Sequence, residues 1–321
     1  MGTATTLPSI PTAAYVPTVV NCYTLFDKFF PTAGLLDYTE GIYNGDPSVP
    51  MEEAQLRQIQ YVLEEAGCAP GVRILEVGCG NGSLLAEAQR QGAKIVGVTI
   101  SPEQIALCRK RGLDARLLDY KLMDDDWFGK FDAVIANGPI EHFVQAEDAA
   151  QGKTEEIYRH MFELFHRAID PSSTLRRFVN TTIYFNRVPR PEDLLASPRS
   201  HSKDSDAWHW AWLKRAFGGF YPTYGQFERC AEGLFDLDKT VDGTHDYHLT
   251  SEEWLRRIRS AMRSWTGMKI IAKSVPFALR HAKQTYEMLY CMMISESWNW
   301  QFRGVNPPTR LLRQTWTYRP A

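Results

Sequence analysis

"ILEVGCGNGSLL", residues 74–85, decides how the chain is read. An apolar run ends in three glycines, Gly78, Gly80 and Gly82, and a helix-like pattern follows. Glycines at such a junction let the backbone turn sharply and approach a ligand with no Cβ in the way. The helix beyond them offers free N–H groups and the positive end of its dipole, suited to a carboxylate or phosphate. A dinucleotide fingerprint, GxGxxG, would need glycine at position 83; serine stands there, and the third glycine comes one residue earlier. The loop is therefore read as the cradle of a different cofactor, with Glu76 two residues ahead of its first glycine.

Outward from this loop the chain alternates between strand and helix patterns. "VRILEV" (72–77), "KIVGVT" (94–99), "DARLL" (114–118), "FDAVIAN" (131–137) and "LRRFVNTTIYF" (175–185) read as strands. Helices over 82–91, 102–111 and 154–169 separate them, the second opened by a capping-box pattern, Ser101-Pro102-Glu103-Gln104. Alternation with nearly continuous apolar strands predicts an α/β fold on a doubly wound, mostly parallel sheet. Residues 1–20 carry no charge and read as a poorly ordered lead-in, 21–70 as a helical cover, and 71–183 as the cofactor-binding core. Residues 184–221, too long for an ordinary connection, read as an inserted cap. The remainder, 222–321, is expected to complete the sheet: a helix near 223–233, strands near 234–248, a helix opened by Thr250-Ser251-Glu252-Glu253, and a long aromatic helix over 278–302.

Composition narrows the function. With 36 basic and 38 acidic side chains the formal net charge is −2, which gives no support for a nucleic-acid partner. The six cysteines are scattered and form no CxxC pair, favouring reduced thiols and a cytoplasmic protein over a disulfide framework or zinc ribbon. No apolar run reaches transmembrane length, and the start of the chain has neither a basic stretch nor an apolar signal core. His245 and His248 have no third ligand nearby in sequence, so no metal is expected.

The motifs resemble one family. Glu76 with the glycine loop resembles motif I of class I S-adenosylmethionine (SAM) methyltransferases, Rossmann-like proteins with a seven-stranded sheet. "EEAQ" (52–55), "VGVTISPEQ" (96–104) and "NGPIEHF" (137–143) narrow the resemblance to the cyclopropane fatty acid synthase-like family, which includes mycolic-acid cyclopropane synthases and small-molecule C- and N-methyltransferases. The resemblance implies that Glu76, Gly78 and Gly80 meet the methionine part of SAM. It also implies that Thr99, Ile100, Gln104, Asp119 and Tyr120 meet the nucleoside, and that Asn137, Tyr38 and Thr39 close the site. For Gln104 an equally good reading is a helix cap that completes the box begun by Ser101.

For the chemistry, the resemblance points to Glu141 and Tyr247, with His142 and Glu40 beside them as catalytic candidates. Cyclopropane synthases hold a bicarbonate base with a cysteine, a glutamate, a histidine and a tyrosine. Here the cysteine position falls on Glu40 and the histidine position on or near Asn180, and a carboxylate at Glu40 would repel the anion. Glu40 is then expected to act as base itself or to neutralise a cationic substrate. Tyr43 and the alternating Trp208, Trp210 and Trp212 of "WHWAW" are read as substrate-facing, because aromatic faces stabilise a cation.

The expected activity is methyl transfer from SAM to carbon of a lipid or small natural product. N-methylation of an amine, a SAM-consuming cyclase or lyase without external acceptor, and a non-catalytic SAM-binding subunit are the alternatives. A homo-oligomer is compatible with the sequence.

Overall fold

The computed structural model describes residues 17–320, so most of the expected lead-in lies outside the described residues. Its last four residues are not a lead-in: α1 (Pro17–Phe29) starts there and runs into a 3-10 turn, Phe30–Ala33. After an extended stretch come α2 (Met51–Glu65), β1 (Arg73–Val77), α3 (Ser83–Arg90), β2 (Lys94–Thr99), α4 (Pro102–Lys110) and β3 (Ala115–Leu117). Next are β4 (Ala133–Asn137), α5 (Ala146–Ala150), α6 (Thr154–Ala168) and β5 (Arg177–Phe185). The insert holds α7 (Pro191–Leu195) and α8 (Asp206–Phe217), and α9 (Gln226–Ala231) leads to β6 (Phe235–Asp242). Four helices, α10 (Thr244–Met262), α11 (Trp265–Arg280), α12 (Ala282–Leu289) and α13 (Ser297–Trp300), precede β7 (Thr309–Tyr318).

The seven strands form one sheet in the order β3-β2-β1-β4-β5-β7-β6. The first five are parallel, with Leu75 opposite Val96 on one side and Val134 on the other. β7 is antiparallel to both its neighbours. The expected doubly wound, mostly parallel α/β sheet is therefore present. Chain order reverses between β1 and β4, so the loops leaving these strands diverge and open a crevice at their carboxyl ends. Most residues of the central strands are buried, which is why they read as apolar runs; within β1 one of the buried residues is an acid, Glu76.

Helix α6 seals one face of the sheet. Glu155 and Glu156 lie in its first turn and Arg167 in its last, each complementing the helix dipole. Its buried Phe162 meets Phe178, Phe227, Phe235 and Trp316 at ring separations of 5.4–6.1 Å.

Two expectations fail in the last third. The strand ends at Asp242 and the helix begins at Thr244, six residues ahead of the Thr250 box. Asp242 accepts the Thr244 N–H at 2.8 Å, while the Thr250 hydroxyl turns back to the Asp246 carbonyl inside the helix. The long helix over 278–302 is broken at His281 and again at Glu296, which sits at φ +50° and is held there by ion pairs to Arg259 and Arg303. Neither break carries a glycine or proline, so pattern reading passes over both.

Replacing Phe162 with alanine should remove about 3–5 kcal/mol of stability, read as a shifted urea midpoint, with Phe162→Leu costing clearly less.

Candidate active site

The cradle forms where β1 meets α3. Gly78 has φ +76°, and a Cβ there would lie 2.5 Å from the Pro139 ring. Its N–H and that of Cys79 donate to the Val98 carbonyl at 2.8 and 3.1 Å, pinning the loop to β2. Around Gly80, φ +51°, a Cβ would meet nothing within 4 Å, so its backbone faces open cavity.

Two acids, the buried Glu76 and the half-buried Asp37, look into this cavity. Glu76 is 3% exposed, and its Oε2 has no hydrogen-bond partner among the described residues. Burial pushes its carboxyl well up, and the nearby Asp37 pushes it further. Asp37 accepts the N–H groups of Tyr38 and Thr39 at 2.7 and 3.2 Å, and burial raises its carboxyl too. Two neighbouring carboxyls drawn from water, one of them with an oxygen to spare, make a site suited to a cation.

At the far end of the crevice, Thr99 donates to the Gln104 side-chain oxygen at 2.7 Å. Ser101 caps the Gln104 N–H at 3.3 Å, but its own N–H goes to Thr99 Oγ1, so the capping box is only half made. The Gln104 side chain lines the cavity together with Ile100 and Asp119. Tyr120 stacks on Phe143 with centroids 4.1 Å apart, forming a flat wall. Phe143 is the last letter of the "NGPIEHF" motif, though sequence reasoning gave it no role. Tyr38, Thr39 and Asn137 also reach the cavity, so all eleven residues expected at the cofactor converge on it.

The same cavity extends to Glu141 and a set of aromatic rings. Glu141 stands on the 3-10 turn Ile140–His142 after β4. Its Oε1 accepts the Ile183 N–H at 2.7 Å, its Oε2 has no partner among the described residues, and burial pushes the carboxyl up to about 8. His142 lies 2.9 Å by Nε2 from the Tyr23 hydroxyl, and burial holds it down at about 4, a neutral imidazole. Tyr247, from α10, stacks on Phe302 at 4.4 Å and meets Trp298 and Trp254 edge-on. Phe217, Tyr221 and Tyr23 extend this aromatic wall.

Several expected residues are placed differently. Glu40 reaches the cavity, but its Oε1 accepts Arg313 Nε at 3.0 Å, and Arg313 also bonds Asp246 at 3.1 Å. A carboxylate already paired with a buried guanidinium is a poor base and a poor counter-ion for a substrate. Tyr43 is buried off the cavity, where its N–H donates to Asp246 at 2.9 Å. Trp208, Trp210 and Trp212 do not line the cavity either. They lie on α8, Trp208 and Trp212 on one face against Tyr290 and Trp210 on the opposite face against Phe185 and Trp300. The wall comes instead from Trp298 of α13, within the stretch read as one long aromatic helix, and from Trp254. Asn180 points away into the sheet, where it accepts the Trp316 indole N–H at 2.8 Å. The residues that would hold a bicarbonate are therefore not assembled.

Glu141 makes stability pH-dependent. Its folded carboxyl titrates near 8 against an ordinary 4.5, so it favours the fold below about 4.5 and that contribution is lost as pH rises through 8. His142 acts in the opposite sense, losing stability only as pH falls from 6.5 towards 4. Between pH 6.5 and 8, Glu141→Gln should therefore gain about 2 kcal/mol relative to the parent, seen as converging then crossing melting temperatures.

Comparison with known proteins agrees with this geometry. The cyclopropane-fatty-acyl-phospholipid synthase of Escherichia coli (strain K12) is 36% identical over 221 residues, which is 66% of this chain and 48% of that protein. The chain thus spans about half the length of the curated relative it matches. The cyclopropane synthase MmaA2 of Mycobacterium tuberculosis superposes with a TM-score of 0.68 at 20% identity, covering 93% of this chain and 96% of that one. The mycolic acid cyclopropane synthase CmaA1, complexed with SAH and CTAB, gives 0.67 at 21% identity over 96% of this chain and 99% of that one. At such identities these two likenesses speak for the fold. Residues 14–270 match the family model for mycolic acid cyclopropane synthetase, so the family read from the motifs is borne out and the chain belongs to it.

Proposed function

We propose that the protein is a SAM-dependent methyltransferase acting on carbon of a lipid or small apolar acceptor. The observation that carries this reading is one cavity with Glu76, a buried carboxyl with a spare oxygen, at one end and aromatic rings around Glu141 at the other. The names of its relatives, a cyclopropane-fatty-acyl-phospholipid synthase among them, support the lipid class. A reducing compartment, the cytoplasm, suits six cysteines that form no disulfide.

Glu76 and Asp37 would take the amino-acid end of SAM, the Gly78–Gly80 backbone its approach, and Thr99, Gln104, Asp119 and Tyr120 its nucleoside. When bound, SAM supplies a sulfonium methyl for in-line displacement. The aromatic wall would exclude water and hold an alkene acceptor beside the cofactor. Carbon methylation leaves a positive charge on the acceptor, which the faces of Tyr247, Trp254 and Trp298 stabilise. A proton must then leave, and Glu141 Oε2, buried and without a partner among the described residues, would accept it. Glu40 does not compete, because Arg313 already holds it.

Only ionised Glu141 can accept a proton. With an unsaturated phospholipid and methyl-labelled SAM, kcat/KM should climb with pH and level off above about 8. Glu141→Gln should lower kcat by about 10²–10⁴. NMR of the product should place the label on a chain carbon. Label on nitrogen would favour the amine reading, and methylthioadenosine released without any acceptor would favour a cyclase or lyase.

A further inference from the structure

We propose that α11 is a docking helix for an anionic phospholipid bilayer, set against the cover of the acceptor chamber. The chain as a whole is slightly acidic, yet residues 263–283 carry Arg263, Lys269, Lys273, Arg280 and Lys283 and no carboxylate. Among the described residues none of these five forms an ion pair; Lys273 reaches only the Thr32 hydroxyl, at 3.2 Å.

At about 100° per residue the helix divides cleanly into three faces. Gly267, Ile270, Ser274 and Phe277 are buried against the body of the protein. Trp265, Met268, Ile271, Val275 and Leu279 form a stripe facing solvent, with Trp265 and Leu279 both 79% exposed. Lys269, Lys273 and Arg280 make a row along one border of that stripe. A soluble surface helix normally turns such apolar residues inward and its charges outward. Here the apolar stripe faces out with cations beside it, the arrangement of a helix lying in a lipid interface, aliphatic and indole groups among the acyl chains and cations at the phosphates. The excess of unpaired positive charge singles out an anionic bilayer as the occupant, since a second copy of the same face would set cation against cation.

The position of α11 gives the docking a purpose. It packs on α1, and the α11–α12 junction is tied to α1 by Asn21 with His281 at 3.4 Å and by Gln284 donating to the Thr18 carbonyl at 2.6 Å. On its other side α1 contributes Val19, Val20, Tyr23 and Phe26 to the cavity wall. A bilayer under α11 therefore lies one helix away from the aromatic chamber, a short lateral path for an acyl chain. This use rests on the lipid-methyltransferase reading; the docking itself does not.

Co-sedimentation with phosphatidylcholine vesicles, with and without phosphatidylglycerol, tests it. The full chain should bind the phosphatidylglycerol vesicles and be released by high salt. Lys269→Glu/Lys273→Glu/Arg280→Glu should lower the partition coefficient about a hundredfold, and Trp265→Ser/Leu279→Ser about tenfold or more. All five positions are exposed, and a retained rise in melting temperature with SAH would verify that each variant is folded. Absence of binding by the parent, unchanged binding by both variants, or a parent dimer that Trp265→Ser/Leu279→Ser dissociates would each overturn the docking. The SAH response separates the two readings. Vesicle binding without it keeps the docking and removes the methyltransferase, whereas a response without vesicle binding does the reverse.

Discussion

Two carboxyl groups held out of water, each with an acceptor oxygen left over, are the constraint around which the molecule is organised. Glu76 closes β1 and Glu141 follows β4, the two strands between which the sheet reverses its order. Burial of a carboxyl without full hydrogen bonding is unfavourable, and a fold tolerates it where a ligand or a reaction makes use of the spare oxygen. Their environments suit them to different tasks. Glu76 has Asp37 for company and polar backbone about it, which suits a cationic ligand, whereas Glu141 lies beneath aromatic rings, which raise its carboxyl into the range where it exchanges protons near neutrality.

The surrounding network keeps these groups in place. Asn137 accepts from both Gln58 and Thr181 at 2.8 Å, joining α2 to β5 across the mouth of the crevice. Gln55 donates to the Thr39 carbonyl at 2.8 Å, and Gly41 N–H to the Thr250 hydroxyl at 2.8 Å, so the 37–41 segment is fixed from both sides. Beneath it lies the buried cluster of Arg313 with Glu40 and Asp246. Removing one partner of such a cluster leaves an unpaired buried charge, costing about 3–5 kcal/mol, which makes its geometry hard to deform.

Much of this was legible in the sequence because local chemistry and global architecture agree there. The glycine spacing, the apolar strands and the ordered motifs "EEAQ", "VGVTISPEQ" and "NGPIEHF" all report the same βα frame, and even Gln55 proves to hold the 37–41 segment. What was not legible depends on contacts distant in sequence. Nothing about Glu40 announces that Arg313, 273 residues away, will neutralise it. The tryptophans of "WHWAW" alternate as if on a strand, but they belong to a helix buried on all sides, and only the packing of the C-terminal helices decides which aromatic rings reach the cavity. The break at Glu296 likewise goes with tertiary ion pairs, and that at His281 with a contact to Asn21, 260 residues away; neither leaves a mark in local propensity.

The division of labour between the two acids is the central claim, and titration calorimetry with SAM tests it most directly. Glu76→Gln should weaken SAM by about tenfold to a hundredfold, the loss of one charge-assisted contact in a buried site, while Glu141→Gln should bind within about threefold of the parent. Equal loss in both variants, or a parent that ignores SAM and takes up a nicotinamide dinucleotide instead, would contradict the account.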